Sequence, residues 1–571
     1  MKTVWGEKLD KNSILPEYPR PQMERSGYIN LNGEWEYAIT DKDEKPELFD
    51  GNILVPFSPE SPLSGVERSV KPDQWLWYER TFTLPEDFNK GHVLLHFGAV
   101  DQSSWVYVNN REVCCHIGGY TPFSVDITDA LVCGVNTLTV KVRDLSDTSF
   151  HSRGKQKTAR GGIWYTAQSG IWQTVWMESV PTEYIKELHI TPRFDDSAVD
   201  IKLISDSSSE GIIRMEDGRE FAVHANSTAT IPMPDFEPWS PESPKLYTFE
   251  AILGEDKVSS YFGMRKFSVE SDDSGIKRLF LNGKSYFHNG LLDQGYYPDG
   301  ILTPPSDEAM IYDISTMKKY GFNMLRKHIK LEPMRWYYHC DRLGMLVWQD
   351  MINGGEKYKF STISVPLVTG IHKKDNKYSA FGRKDAAGRD QYYAELDEMI
   401  DSLYNCVSIA MWVPFNEGWG QFDAKEAVRR ILAKDTTRTI DHASGWHDQY
   451  IGDIKSLHVY FKPYKFKKDK LGRAVVLSEF GGYNCMIKDH SFNTKDFGYK
   501  KSSDTTELLA LYRKLYEEQI IPAKEKGLCA TVYTQVTDVE DEVNGLLTYD
   551  RKVEKLPAEE LLRLNGMLND R

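Results

Sequence analysis

Ser408-Ile-Ala-Met-Trp-Val-Pro-Phe-Asn-Glu-Gly-Trp-Gly420 is a largely apolar run that ends in a carboxylate and a glycine-rich turn. Ala474-Val-Val-Leu-Ser-Glu-Phe-Gly-Gly482 repeats the pattern further along. A strand with one wet face alternates apolar and polar residues, whereas a parallel strand buried on both faces reads as a continuous apolar run. Both stretches are of the second kind. In a (β/α)₈ barrel such strands end at a common mouth, where the functional residues collect. Glu417 and Glu479 are therefore expected to meet there, although they lie far apart in the chain.

Working outward from these two strands, the region after residue 269 alternates apolar runs with helical stretches, the signature of βαβ units. Eight strand candidates centre on Tyr286, Met324, Leu346, Ala410, Ile440, Leu457, Val476 and Val532. Helices fall between them, including Asp307 to Tyr320 and Glu395 to Tyr404. Ser306 precedes the first of these as an N-cap, with acidic residues in the opening turn. Eight repeats in this length suit one TIM barrel. Before it the texture is all β. Residues 1–183 carry short alternating strands such as Trp105-Val-Tyr-Val and many turn signals, which predicts a jelly-roll sandwich. Residues 184–268 read as a smaller immunoglobulin-like β-sandwich. The expected fold is thus multidomain: 1–183 jelly roll, 184–268 immunoglobulin-like, 269–571 catalytic barrel.

Bulk properties narrow the function. A chain of 571 residues needs several cores. A net charge of −14 with no basic patch beyond the Lys462 to Lys470 run disfavours nucleic acid as a partner. The 14 Trp and 31 Tyr suit stacking on sugar rings as well as strand packing. Seven Cys without a C-x-x-C spacing give zinc and dithiol chemistry no support. The opening residues lack an apolar signal region and no long apolar run follows, so a cytoplasmic protein without membrane contact is expected.

Two carboxylates facing each other across a pocket are the minimal machinery for cutting a glycosidic bond. The chain also resembles glycoside hydrolase family 2, the group of β-galactosidases, β-glucuronidases and β-mannosidases. Leu31-Asn-Gly-Glu-Trp, Trp77-Tyr-Glu-Arg-Thr-Phe, Gly118-Gly-Tyr-Thr-Pro-Phe and Ser169-Gly-Ile-Trp are similar to its sugar-binding jelly roll. Trp239-Ser-Pro-Glu-Ser-Pro-Lys-Leu-Tyr247 and Phe262-Gly-Met-Arg-Lys are similar to the end of its immunoglobulin-like domain. Gly321-Phe-Asn-Met-Leu-Arg-Lys-His328, Asn416-Glu417 and Ser478-Glu-Phe-Gly are similar to its barrel signatures. Each is weak alone; their common order is specific.

The resemblance implies a retaining exo-β-glycosidase with Glu479 as nucleophile and Glu417 as acid/base. Aromatic neighbours Phe415 and Trp419 would desolvate Glu417 and help it hold its proton. By the same resemblance, Asn416 bonds the sugar hydroxyl next to the reacting carbon, Tyr460 donates to the nucleophile and His328 binds a substrate hydroxyl. Asp350, at the end of the third strand, is a further sugar ligand candidate, and Trp348 and Trp446 are candidate stacking platforms. The chemistry requires no metal or other cofactor, although stimulation by Mg²⁺ or Na⁺ is known among relatives. A carbohydrate is the expected partner, and the resemblance leaves room for a homo-oligomer.

Departures from the family pattern bear on the sugar. Glucuronidases carry Asn-x-Lys late in the barrel, whereas Glu542-Val-Asn544-Gly-Leu has no lysine two places after its asparagine. Asp538, Glu540, Asp541 and Glu542 make that stretch acidic, which disfavours a uronic acid. Galactosidases place an Asp ahead of Ser-Gly-Ile, where Gly162-Ile-Trp-Tyr-Thr-Ala-Gln168 stands here. The first strand ends His288-Asn-Gly-Leu-Leu-Asp293 in place of Asn-Arg-His. A neutral β-hexoside, galactoside first, is the expected substrate; a β-glucuronide or β-galacturonide is the alternative. Outside this chemistry stand a metal-dependent barrel hydrolase, with His328 and Asp350 as thin ligands, and an inactive carbohydrate-binding protein.

Overall fold

The computed structural model describes residues 1–569. The N-terminal module packs a four-stranded antiparallel sheet on a six-stranded one. Its strands alternate as Ser103–Val108 does, one side chain buried and the next half-exposed, and the inward ones, Trp35, Tyr78, Leu95 and Val140 among them, form one core. A smaller sandwich follows, with three strands facing four between Glu187 and Phe262 and its own core of residues such as Ile201, Ile213 and Phe249.

The barrel strands, β1 to β8 in chain order, are His288–Asp293, Met324–Lys327, Leu346–Asp350, Ile409–Val413, Thr439–Ile440, Ile454–Val459, Ala474–Gly481 and Leu528–Thr534. They form a parallel eight-stranded sheet in the ladder order β5-β4-β3-β2-β1-β8-β7-β6. Seven of the expected strands lie where the apolar runs placed them. The first begins at His288, because Tyr286, whose amide donates to the Leu279 carbonyl, still continues the Lys277–Leu281/Lys284–Ser285 hairpin. Phe267, Leu279 and Leu281 of that hairpin sheet pack with Met324, Leu346 and Ala474, the residues that open β2, β3 and β7. The hairpin sheet therefore plugs the N-terminal end of the barrel and leaves the other end for chemistry.

The helices run Asp307–Lys319, capped by Ser306 as expected, and Ala386–Leu403, nine residues earlier at its start than the sequence suggested. Asp385 caps the latter by accepting from the Gly388 amide. No helix among the described residues is long and apolar enough to cross a membrane. All seven cysteines are unpaired, four of them buried.

β5 and β6 share no ladder hydrogen bonds, and side chains close that gap. Ser444 Oγ lies 3.0 Å from His458 Nε2 and 3.0 Å from Ser478 Oγ, so residues following β5 reach β6 and β7 directly.

Candidate active site

The mouth of the barrel is organised around one buried cation. Arg326 leaves β2 pointing inward and is fully buried. Its Nε and Nη2 each lie 3.0 Å from an oxygen of Asp350. Nη2 also donates to Asn416 Oδ1 at 2.8 Å, and Nη1 donates to Glu479 Oε1 at 3.1 Å and to the Ser478 carbonyl at 3.0 Å. All five N–H groups are used, the condition under which burying a guanidinium is tolerable. β2, β3, β4 and β7 are thereby tied to one centre.

Glu479 ends the continuous apolar part of β7. Tyr460, just past β6, donates its hydroxyl to Glu479 Oε2 at 2.5 Å and is held by stacking on Tyr499, ring centroids 3.6 Å apart. Burial works to raise the Glu479 pKa, but the attraction of His458 and Arg326 and the Tyr460 hydrogen bond outweigh it, and the net direction is downward. This carboxylate is held ionised.

Glu417 follows β4 in a left-handed conformation, φ 50°, costly for a side chain with a Cβ. Two contacts fix it there: its amide donates to the Ser444 carbonyl at 2.9 Å, and Trp446 Nε1 donates to its carbonyl at 2.8 Å. The chain then turns through Gly418, φ 73°, where a Cβ would lie 2.5 Å from the His447 ring. Burial raises the Glu417 pKa and the nearby Glu479 charge adds to this, against the pull of His458. The two carboxyls thus sit in one pocket with their pKa values pushed apart.

His458 joins them, with Nδ1 2.8 Å from Glu417 Oε1 and 3.4 Å from Glu479 Oε2. The surrounding network assigns its tautomer. Ser478 donates to the Leu457 carbonyl and Ser444 donates to Ser478, which leaves Ser444 Oγ to accept from Nε2–H. With Nε2–H committed to Ser444, Nδ1 is the atom that faces both carboxyls.

Of the other residues singled out from sequence, Asn416 stands at the centre. Its Oδ1 is taken by Arg326 and its buried Nδ2 has no partner among the described residues, a donor left over for a ligand. His328 holds Asp350 through Nδ1 at 2.8 Å and turns its ring toward Trp419, 6.2 Å away; burial lowers its pKa, so it stays neutral. Trp446 packs at the site, 5.5 Å from the His458 ring. Two expectations are corrected. Asp350 is fully buried with both oxygens bound to Arg326 and one also to His328, so it positions those groups and does not face a sugar. Trp348 lies inside the barrel core, its indole N–H on His288 Nδ1 at 2.9 Å, and offers no stacking face.

Arg326, His458 and Tyr499 were not foreseen, because nothing in their local sequence separates them from core residues. Lys155 was not foreseen either. It reaches the barrel mouth from the first module, 5.9 Å from the Trp419 ring and 3.9 Å from Glu542.

Glu417, His458 and Glu479 also form a group whose potential metal-ligand atoms lie within 4.8 Å of one another. Both Glu479 oxygens already accept from Arg326 and Tyr460, so a cation bound there would compete with a guanidinium 3.1 Å away.

Three profiles of one family match in sequence order: the family 2 glycosyl hydrolase sugar-binding domain over residues 67–181, the central family 2 domain over 183–265, and the family 2 TIM barrel domain over 279–476. The chain belongs to glycoside hydrolase family 2. A putative β-glucuronidase of Formosa agariphila is 28% identical over 419 residues, 68% of this chain and 48% of that protein. A β-galactosidase of Streptococcus thermophilus is 26% identical over 416 residues, 68% of this chain and 37% of that protein. This family 2 chain therefore spans about half, or less, of the length of these curated relatives. Among solved structures it shares its fold with a Ruminococcus gnavus β-glucuronidase, TM-score 0.74 at 15% identity, covering 98% of this chain and 99% of that one. A β-galacturonidase from Eisenbergiella tayi superposes with TM-score 0.71 at 19% identity, covering 96% and 98%.

Proposed function

We propose that this chain is a retaining exo-β-glycosidase in which Glu479 is the nucleophile and Glu417 the acid/base. The observation that carries the reading is the carboxylate pair itself. Oxygens of Glu417 and Glu479 lie within 4.8 Å of each other, while one carboxyl is biased toward its neutral form and the other toward its ionised form. Retaining enzymes hold their carboxyls about 5–5.5 Å apart, and inverting ones about 6.5–9.5 Å apart to admit a water.

In the first step a Glu479 oxygen attacks the anomeric carbon as the bond to the leaving group breaks, and Glu417 gives its proton to the departing oxygen. The glycosyl ester removes the Glu479 charge, the Glu417 pKa falls, and Glu417 can take a proton from water. That water attacks the anomeric carbon and releases Glu479. Arg326 and Tyr460 hold the nucleophile aligned throughout, and the free Asn416 Nδ2 is placed to donate to the neighbouring sugar hydroxyl.

The glycone we infer is an uncharged hexose, with β-galactosides the first to test. Leu546 occupies the place where glucuronidases carry a carboxylate-binding lysine and is buried in the core, and the acidic Glu540 and Glu542 come shortly before it in the chain. A panel of aryl β-glycosides, with NMR of the first-formed anomer, tests both parts. The expected result is turnover of a neutral glycoside with retained configuration. Faster turnover of a uronide than of every neutral glycoside would overturn the choice of sugar, and an inverted product the mechanism. We propose a cytoplasmic site, which the seven unpaired cysteines, four of them buried, support as thiols suited to a reducing compartment.

A further inference from the structure

Lys155 is buried, 5% exposed at its side chain, yet its ammonium makes no hydrogen bond among the described residues. Its nearest acidic atom is Glu542 Oε2 at 3.9 Å, beyond hydrogen-bonding reach. The rings of Tyr165 and Trp419 flank it at 5.3 and 5.9 Å. The backbone beneath is fixed, since Tyr165 N donates to the Lys155 carbonyl at 3.0 Å and Gln156 pairs with Tyr165 in a short parallel bridge. Glu542 is equally buried. It accepts from the Tyr165 hydroxyl and from Asn544 Nδ2, one donor on each oxygen, so each oxygen retains a lone pair.

Both groups stand beside the reacting centre. At His328 burial lowers the pKa and the Lys155 charge adds to it, whereas at Glu417 burial raises the pKa and Lys155 only opposes that rise. Tyr499, the stacking partner of Tyr460, feels Glu542, Glu417 and Glu479 together. A buried donor and a buried acceptor that face each other beyond hydrogen-bonding reach are satisfied when a polar group of a ligand comes between them.

We propose that Lys155 and Glu542 form a clamp for one hydroxyl of the glycone, Lys155 Nζ donating to the hydroxyl oxygen while that hydroxyl donates to the Glu542 carboxylate. A hydroxyl can do both at once. A uronate carboxylate on Lys155 would meet Glu542 at nearly the same distance, like charge against like charge, so the clamp selects uncharged sugars. The first module, through Lys155, then takes part in sugar recognition. The inference rests on the glycosidase reading above and adds the group that reads the sugar.

The test is a substrate-side and protein-side cycle. Wild type, Glu542→Gln, Lys155→Met and Lys155→Arg are assayed on a neutral aryl β-hexoside, on the analogues lacking one hydroxyl at each position not adjacent to the anomeric carbon, and on the matching uronide. One deoxy analogue is expected to lose about 10- to 100-fold in kcat/KM on the wild type, the range for hydrogen bonds to charged groups. Lys155→Met and Glu542→Gln should lose a similar factor on the parent glycoside and nothing further on that analogue, because the interaction is already gone. Lys155→Arg should recover part of the loss. If the variants lower all analogues by one common factor, Lys155 is merely structural and the clamp is wrong. A uronide that is the best wild-type substrate and collapses in Lys155→Met would also overturn it, assigning the lysine to a carboxylate. Should Lys155→Met not fold, the near-isosteric Glu542→Gln against the deoxy series decides alone. A wild type inactive on every glycoside overturns the glycosidase reading, whereas an active wild type with a flat deoxy series overturns the clamp only.

Discussion

A carboxyl donates a proton near neutral pH only when its surroundings make the ionised form costly, and a neighbouring carboxyl stays a nucleophile only when its own ionised form is supported. Glu417 and Glu479 meet these opposite demands from positions in one pocket. The difference lies in partners: Glu479 has Arg326 and Tyr460 on its two oxygens, whereas Glu417 has the imidazole of His458. Activity requires Glu479 ionised, so kcat/KM should rise with pH through a limb below the ordinary glutamate value of 4.5. It requires Glu417 protonated, so it should fall through a limb above 4.5. A pH–rate profile checks both signs, and a descending limb at or below 4.5 would contradict the assignment. Glu417→Gln should cost far more on glycosides with poor leaving groups than on activated aryl glycosides, which need little protonation; equal losses on both would remove Glu417 from the acid role. The two glutamates could be read from the chain because each closes a continuous apolar run. His458 could not, since its partners come from β4, β5 and β7, and no local pattern encodes a contact of that kind. Trp348 misled for the converse reason, because an aromatic at a strand end can point into the barrel as readily as toward the mouth.

At the scale of elements, continuous burial made β3, β4, β7 and β8 plain in the sequence. β5, two residues long, and β6, with alternating burial, carried a weaker signal, and these are the strands between which the ladder is open. Serine and histidine side chains bridge that opening, so the region that departs from the apolar pattern is also the one that orients the acid/base. Arg326 secures the opposite side of the mouth. Replacing it by methionine leaves Asp350 and Glu479 buried without their counter-charge, and loss of one partner of a buried pair costs about 3–5 kcal/mol. Arg326→Met should therefore lower the denaturation midpoint by a corresponding amount as well as abolish turnover. A variant of wild-type stability would contradict the role given to this guanidinium.

Across the whole molecule, the first 27 residues strap the modules together. Thr3 binds Asp299 of the barrel through its amide at 2.8 Å and its hydroxyl at 2.7 Å. Arg25 bridges Glu178 of the first sandwich and Asp256 of the second at 3.0 and 2.8 Å. Composition announced three kinds of texture but not this strap, nor the reach of Lys155 into the barrel, because contacts between modules leave no periodicity behind. Arg25→Ala should uncouple the sandwiches, seen as a broadened or split calorimetric transition; a single unshifted transition would deny the strap its role. Chelation should leave turnover largely intact, since the steps proposed run through protein groups alone. Complete loss restored by one added metal would argue instead for a cation held by Glu417, His458 and Glu479.

The central claim is that Glu479 itself bonds to the sugar. A 2-deoxy-2-fluoro β-glycoside with a good leaving group slows both steps while keeping the first fast enough for an intermediate to accumulate. Incubation with the intact chain, followed by mass spectrometry of its peptides, should place one glycosyl adduct on the segment from Leu477 to Gly482, at Glu479. An adduct on any other residue, or none from an enzyme that turns over the parent glycoside, would contradict the mechanism.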